Sequence, residues 1–139
     1  MTVIEKKLSF VTKGNTDIIN LTPLVEQKLN ESEASEGIIT IFAPGATGGI
    51  TTIEYEPGLI NDLKEIMEKI IPQNGFYRHN EKWGDGNGHS HLRASLMGPE
   101  ITVPFTKKQL QLGTWQQIIF IDFDIKPRNR ALILKIIGN

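Results

Sequence analysis

Between Pro57 and Pro72 the chain carries the one pattern that leaves little freedom of fold. Leu59, Ile60, Leu63, Ile66, Met67, Ile70 and Ile71 recur at i, i+1, i+4, i+7, i+8, i+11 and i+12, which gathers them on one face of a helix. Proline at each end opens and stops that helix. Asp62, Lys64, Glu65, Glu68 and Lys69 fall opposite and read as a solvated face. Around it the text is strand-like. Lys7 to Thr12 alternates apolar and polar residues, and Gly37 opens GIITIFAP, a continuous apolar run that reads as a buried strand. Ile50 to Tyr55, Ile101 to Phe105, Trp115 to Phe123 and Ala131 to Ile137 follow as further strands. A shorter helix starts at Thr22, an N-cap, with Pro23 at the first helical position and Leu24, Val25 and Leu29 along it. Strands at both ends, two helices in the N-terminal half and no regular βαβ alternation predict an α+β fold with mainly antiparallel sheets.

The chain has 139 residues, the size of one ordinary domain, so 1–139 reads as a single unit. Hydrophobic residues make up 39% and charged residues 22%, enough to build a core at this length. Fifteen basic against sixteen acidic residues leave a net charge of −1, which gives no general pull toward nucleic acid or an anionic membrane. Cysteine is absent, which excludes a disulfide framework, a thiol nucleophile and any cysteinate metal site. The N-terminal text MTVIEKKLSF has no apolar core of signal-peptide length. The apolar run Ile118 to Ile121 falls far short of the ~20 residues of a spanning helix. The expectation is a cytoplasmic protein with neither nucleic acid nor membrane as partner.

All three histidines, His79, His89 and His91, fall within thirteen residues. The stretch from Gln73 to Gly88 is glycine-rich and polar, and reads as a long loop. On an extended segment His89 and His91 project from one face; on a helix they diverge. Gly84, Gly86 and Gly88 let the loop fold tightly and return His79 toward His91. Three imidazoles, with oxygen from Asp85 or Asn87, could coordinate a divalent metal, magnesium or zinc. The same loop could instead bind an anion through imidazole N–H groups, glycine amides and the forked donors of Arg78 or Arg93. It could also be a polar loop facing water. GDGNGH lacks the spacing of a nucleotide-binding loop. Glu54 shares a strand face with Thr52 and Glu56, where it could act as metal ligand or general base, or stand as an exposed edge charge. Trp115 reads as a core aromatic. Arg128 and Arg130 read as a solvated turn, with a phosphate clamp as the alternative.

TIEYEPG, YRHN, HSHLRASLMGPEITVPF, LGTWQQIIFIDFD and PRNRALILKIIG, in that order, resemble the YjbQ-like family, small proteins often labelled secondary thiamine-phosphate synthase. The resemblance spans nearly the whole chain. It implies an α+β fold assembled as a homotrimer, with sites near subunit interfaces and a polar cluster of His79, Asp85, Asn87, His89 and Glu54. His91 matches the family's most regular histidine, the one before the leucine of HLxASLxG. Many members carry PHTT where this chain has Pro44-Gly45-Ala46-Thr47, so only Thr47 survives of that pattern. On this resemblance His79, His91 and Glu54 would be catalytic. Asp85, Asn87, Arg78, Arg93 and Thr47 would hold a small phosphorylated substrate, and His79, His89 and His91 any metal. The implied reaction joins a pyrimidine diphosphate to a thiazole phosphate, and needs a metal or strong cations on the leaving diphosphate. The alternative is a trimeric metal- or phosphate-binding protein without turnover.

Overall fold

A computed structural model describes all 139 residues. In chain order the elements are β1 (Thr2–Thr12), β2 (Asp17–Asn20), α1 (Thr22–Asn30), β3 (Glu36–Phe42), β4 (Gly48–Glu54) and α2 (Pro57–Ile70), then α3 (Arg78–Trp83), α4 (Gly88–Met97), β5 (Glu100–Thr106), β6 (Gln109–Leu110), β7 (Gln116–Asp122) and β8 (Arg128–Gly138). Two sheets form, one ordered β1-β8-β3-β5-β6 and the other β2-β7-β4. Every pairing is antiparallel. The α+β architecture with antiparallel sheets is the one expected.

Strand β7 shows why the sheets stack. Ile118 and Phe120 join the larger core with Leu8, Ile39, Ile41, Phe105 and Leu132 of the five-stranded sheet. Ile119, Ile121 and Phe123 face the other way, onto Met67 of α2 and Ala94 of α4. A strand covered on both faces needs an unbroken apolar run, and IIFI supplies it. Each such side chain taken fully from water contributes about 1.5–3 kcal/mol. Helix α1 closes the larger core with Val25 and Leu29, both fully buried.

Two helices were not expected. The text from Arg78 to Met97 forms α3 and α4, so the stretch read as a loop up to Gly88 is partly helical and the open choice for His89 and His91 falls to a helix. The apolar periodicity misleads because α4 turns a polar face inward. His89, Ser90 and Arg93 are buried with Ala94, while Leu92 and Leu96 are exposed. The GIITIF strand also differs from its reading. Ile39 and Ile41 are buried, but Ile38 and Phe42 are each 41% exposed on the outer face. Trp115 is a correction too. It precedes β7 in a turn and is 71% exposed, so in the single chain it is no core residue. Thr22 is the first residue of α1 after Leu21 at the cap, and its hydroxyl accepts from the Ile118 amide at 2.8 Å, tying the helix to β7.

Candidate functional site

The histidine segment folds back through one asparagine. The N–H of Gly84 bonds to the Asn80 carbonyl at 2.8 Å and ends α3, with Gly84 itself at φ 66°. The Asn80 side-chain oxygen then accepts from the Gly88 amide at 2.8 Å and pins the start of α4. Glycine carries that left-handed turn without strain. The result sets His79 of α3 edge-on to His91 of α4, with ring centroids 4.6 Å apart at 64°.

Asp85 and Asn87 sit behind His79. The Asp85 carboxylate lies 3.8 Å from His79 Nε2. With its amide nitrogen toward the acid, Asn87 donates to both Asp85 oxygens at 3.0 and 3.2 Å and to His79 Nε2 at 3.1 Å. In that arrangement Nε2 accepts, so the neutral ring carries its proton on Nδ1. His79, His91 and Arg78 line a pocket of about 390 Å³ with Phe76, Tyr77 and Leu92. His91 also borders a recess of about 280 Å³ against Gly45, Ala46, Gly48 and Ser95. A larger depression of about 470 Å³ lies along the exposed face of α2. It brings together no histidine or arginine, and we give it no chemical role.

Four sequence-based assignments change. His89 and His91 lie on a helix and diverge: His89 is 2% exposed, facing the protein interior. Burial pushes its pKa down, helped by the Arg93 charge and opposed by Glu68 and Asp124. No three His, Asp or Glu side chains converge as a metal centre, so the set His79, His89 and His91 is not assembled. Arg93 is unavailable to a substrate. Its guanidinium bonds Ile71 O at 2.9 and 2.7 Å, Thr16 Oγ1 at 3.1 Å and Glu68 at 2.7 Å. Glu54 stands exposed at the end of β4, opposite Gln116. Six residues of strand from Gly48 put it roughly 20 Å from the His91 recess, outside the histidine pocket of its own chain.

The fourth concerns Thr47, whose hydroxyl is also committed. It accepts from Arg130 Nη2 at 2.9 Å and donates to Asp124 at 3.4 Å. This belongs to a buried network that the sequence reading missed. Arg130 is paired through Nε and Nη2 with fully buried Asp122, each bond 2.7 Å. Thr12 also donates to Asp122, and Arg128 binds Asp124 through Nε at 2.7 Å. Burial would raise the Asp122 carboxyl, but the bonds from Arg130, Thr12 and the Asp124 amide outweigh it and hold the pKa below the usual range. Asp124 is held low against its burial by the Ile125 amide and Arg128. Asp122 at the end of an otherwise apolar IIFID run was the available signal, since a carboxylate buried in a strand needs a cation.

Known proteins bear on this geometry. A family model described as UPF0047 protein YjbQ-like matches residues 6–139. The chain belongs to the YjbQ-like family. A UPF0047 protein of Archaeoglobus fulgidus is 36% identical over 129 residues, covering 93% of this chain and 98% of the relative. UPF0047 protein YugU of Bacillus subtilis is 33% identical over 135 residues, 96% and 98% of the two chains. Among solved YjbQ-like structures, a protein of unknown function from Sulfolobus solfataricus superposes with a TM-score of 0.93 at 28% identity, covering 99% of both chains. A Clostridium acetobutylicum family member gives 0.87 at 38% identity, covering 95% of this chain and 99% of its own. The two-sheet fold is therefore the fold of the YjbQ-like family. No helix here is long and apolar enough to cross a membrane.

Proposed function

We propose that the chain is a small-molecule enzyme acting on phosphorylated substrates, with His79 and His91 as its acid–base pair. Thiamine-phosphate synthase activity, the joining of a pyrimidine diphosphate to a thiazole phosphate, is the specific form of that proposal. The observation that carries it is the contact of the two imidazoles at one pocket, with Asn87 and Asp85 fixing the His79 ring. Held by Asn87, the neutral His79 ring keeps its proton on Nδ1, the proton it would exchange in acid–base chemistry. Arg78 offers a fork for a phosphoryl group, and Phe76 and Leu92 offer apolar surface for a ring.

A resident zinc held by three imidazoles does not fit these residues, because His89 points away from the other two. Magnesium enters the proposal as the counter-ion of a diphosphate substrate. The assay uses both thiamine precursors with and without magnesium. Product formation that falls at least about a hundredfold in His79→Ala, His91→Ala supports the reading. No product, or product indifferent to the double substitution, refutes it and leaves a binding protein without turnover.

Self-assembly into a homotrimer belongs to the same proposal. Val3, Ile137 and Ile38 stand directly opposite one another on β1, β8 and β3. All three are exposed, an apolar stripe suited to burial against another copy. Glu54 reaches a histidine pocket only if a neighbouring subunit supplies it.

A further inference from the structure

We propose that the turn Pro44–Thr47, together with Arg130, forms a binding subsite for a phosphoryl oxyanion on the opposite side of His91 from the His79 pocket. The turn is held firmly at both ends. The Ala43 amide bonds Pro99 O at 2.9 Å, Ile50 N bonds Gly98 O at 3.0 Å, and Phe123 N bonds Thr47 O at 2.9 Å. Between these anchors the backbone N–H groups of Gly45, Ala46 and Thr47 donate to no group of the chain. Three successive free amides on a fixed turn are the donors that anion cradles use.

Arg130 adds the cation. Its Nε and Nη2 are spent on Asp122 and Thr47, while Nη1 has no hydrogen-bond partner. That free nitrogen lies beside the turn, since a methyl group built on Gly45 would sit 3.5 Å from it. The Arg130 side chain is only 12% exposed and its guanidinium is bonded to Asp122 and Thr47, so its position is fixed before any ligand arrives. Asp122 and Asp124, the carboxylates beside it, are balanced one to one by Arg130 and Arg128, so the cluster is neutral overall and Arg130 acts on an anion at short range through Nη1. Gly45 and Ala46 of the turn also border a recess of about 280 Å³ with His91 and Ser95, room for part of the molecule bearing the phosphoryl group.

The subsite shares only His91 with the proposed acid–base pair, and it is tested without turnover. Inorganic phosphate is titrated into the full chain at fixed pH and ionic strength, with chloride as reference, while backbone and arginine N–H signals are followed by NMR. Saturable shifts at Gly45, Ala46, Thr47 and Arg130 Nε–H are expected. Ala46→Asp, at an exposed position, should weaken binding about tenfold or more by placing a carboxylate beside the anion. Arg130→Lys, which keeps the charge and removes the fork, should also weaken it. His79→Ala should leave it within about twofold. Shifts matched by chloride, shifts confined to residues 78–91, or binding unchanged in both Ala46→Asp and Arg130→Lys would overturn the subsite. Each of those results leaves the His79–His91 assay to stand or fall separately.

Discussion

Arg93 and Asp122 show how far a buried charge can be committed before function enters. Arg93 ties the end of α2 to Thr16, a β-branched residue at φ 66° in the strained left-handed region. Replacing Arg93 by Met leaves Ile71 O and Thr16 without their charged donor, and should cost about 2–3 kcal/mol. Glu68→Gln should cost less than about 1 kcal/mol, because that carboxylate is half exposed. Urea unfolding of the two variants checks both. A stable Arg93→Met protein lacking only ligand binding would restore Arg93 to the site. Asp122 gives a prediction in pH. Its native carboxyl titrates below the ordinary value of 3.8, so its extra stabilisation is present above that value and is lost as pH falls through the native pKa. Asp122→Asn strands Arg130 and should cost about 3–5 kcal/mol at neutral pH. The gap between it and the parent should shrink as the pH is lowered below the ordinary carboxylate range, as measured by denaturant unfolding.

Among the elements, the β5–β6 hairpin and helix α4 go against local preference in different ways. The hairpin turns on Lys107 and Lys108, both left-handed at φ 54° and 60°, where Asn or Gly is the usual choice. Lys108 has a reason to be there, since its ammonium reaches the carbonyls of Asn30 and Ser32 and caps the end of α1. Lys107 makes no such contact. Lys107→Asn should therefore stabilise the protein by about 1 kcal/mol, read as a rise in denaturation midpoint. In α4 the buried face is polar because Arg93 on it meets Glu68, Thr16 and the Ile71 carbonyl. Leu92 and Leu96 are left outside, and Leu92 borders the histidine pocket.

For the whole molecule, the open question is what covers the outer face of the five-stranded sheet. Val3, Ile38 and Ile137 lie exposed in register across three strands, and Trp115 stands free beside the start of β7. Sedimentation at micromolar concentration should give a trimer for the parent. Ile38→Glu, which puts a charge in the middle of the stripe, should give a monomer with an unchanged fold by circular dichroism. A parent that sediments as a clean monomer would refute the assembly. Trp115→Ser should keep the monomer fold, because the ring rests on little of its own chain.

Strand and helix identity were legible wherever one face of an element meets an apolar core. Leu59 to Ile71 announced α2, the alternation at Lys7 to Thr12 announced β1, and the apolar text from Trp115 to Phe123 announced a strand, whose burial on both faces only the structure showed. The return of His79 toward His91 was legible from Gly84, Gly86 and Gly88. Helix α4 was hidden because periodicity registers apolar burial and its inward side chains are mostly imidazole, hydroxyl and guanidinium, while α3 buries no side chain at all. Arg130 has one partner eight residues away in Asp122, but it finds Thr47 across 83 residues and Arg93 finds Thr16 across 77. No spacing rule reaches across such separations. Composition and pattern determined the architecture through local burial, while the tertiary structure alone decided which charges were consumed in holding it and which donors stayed free.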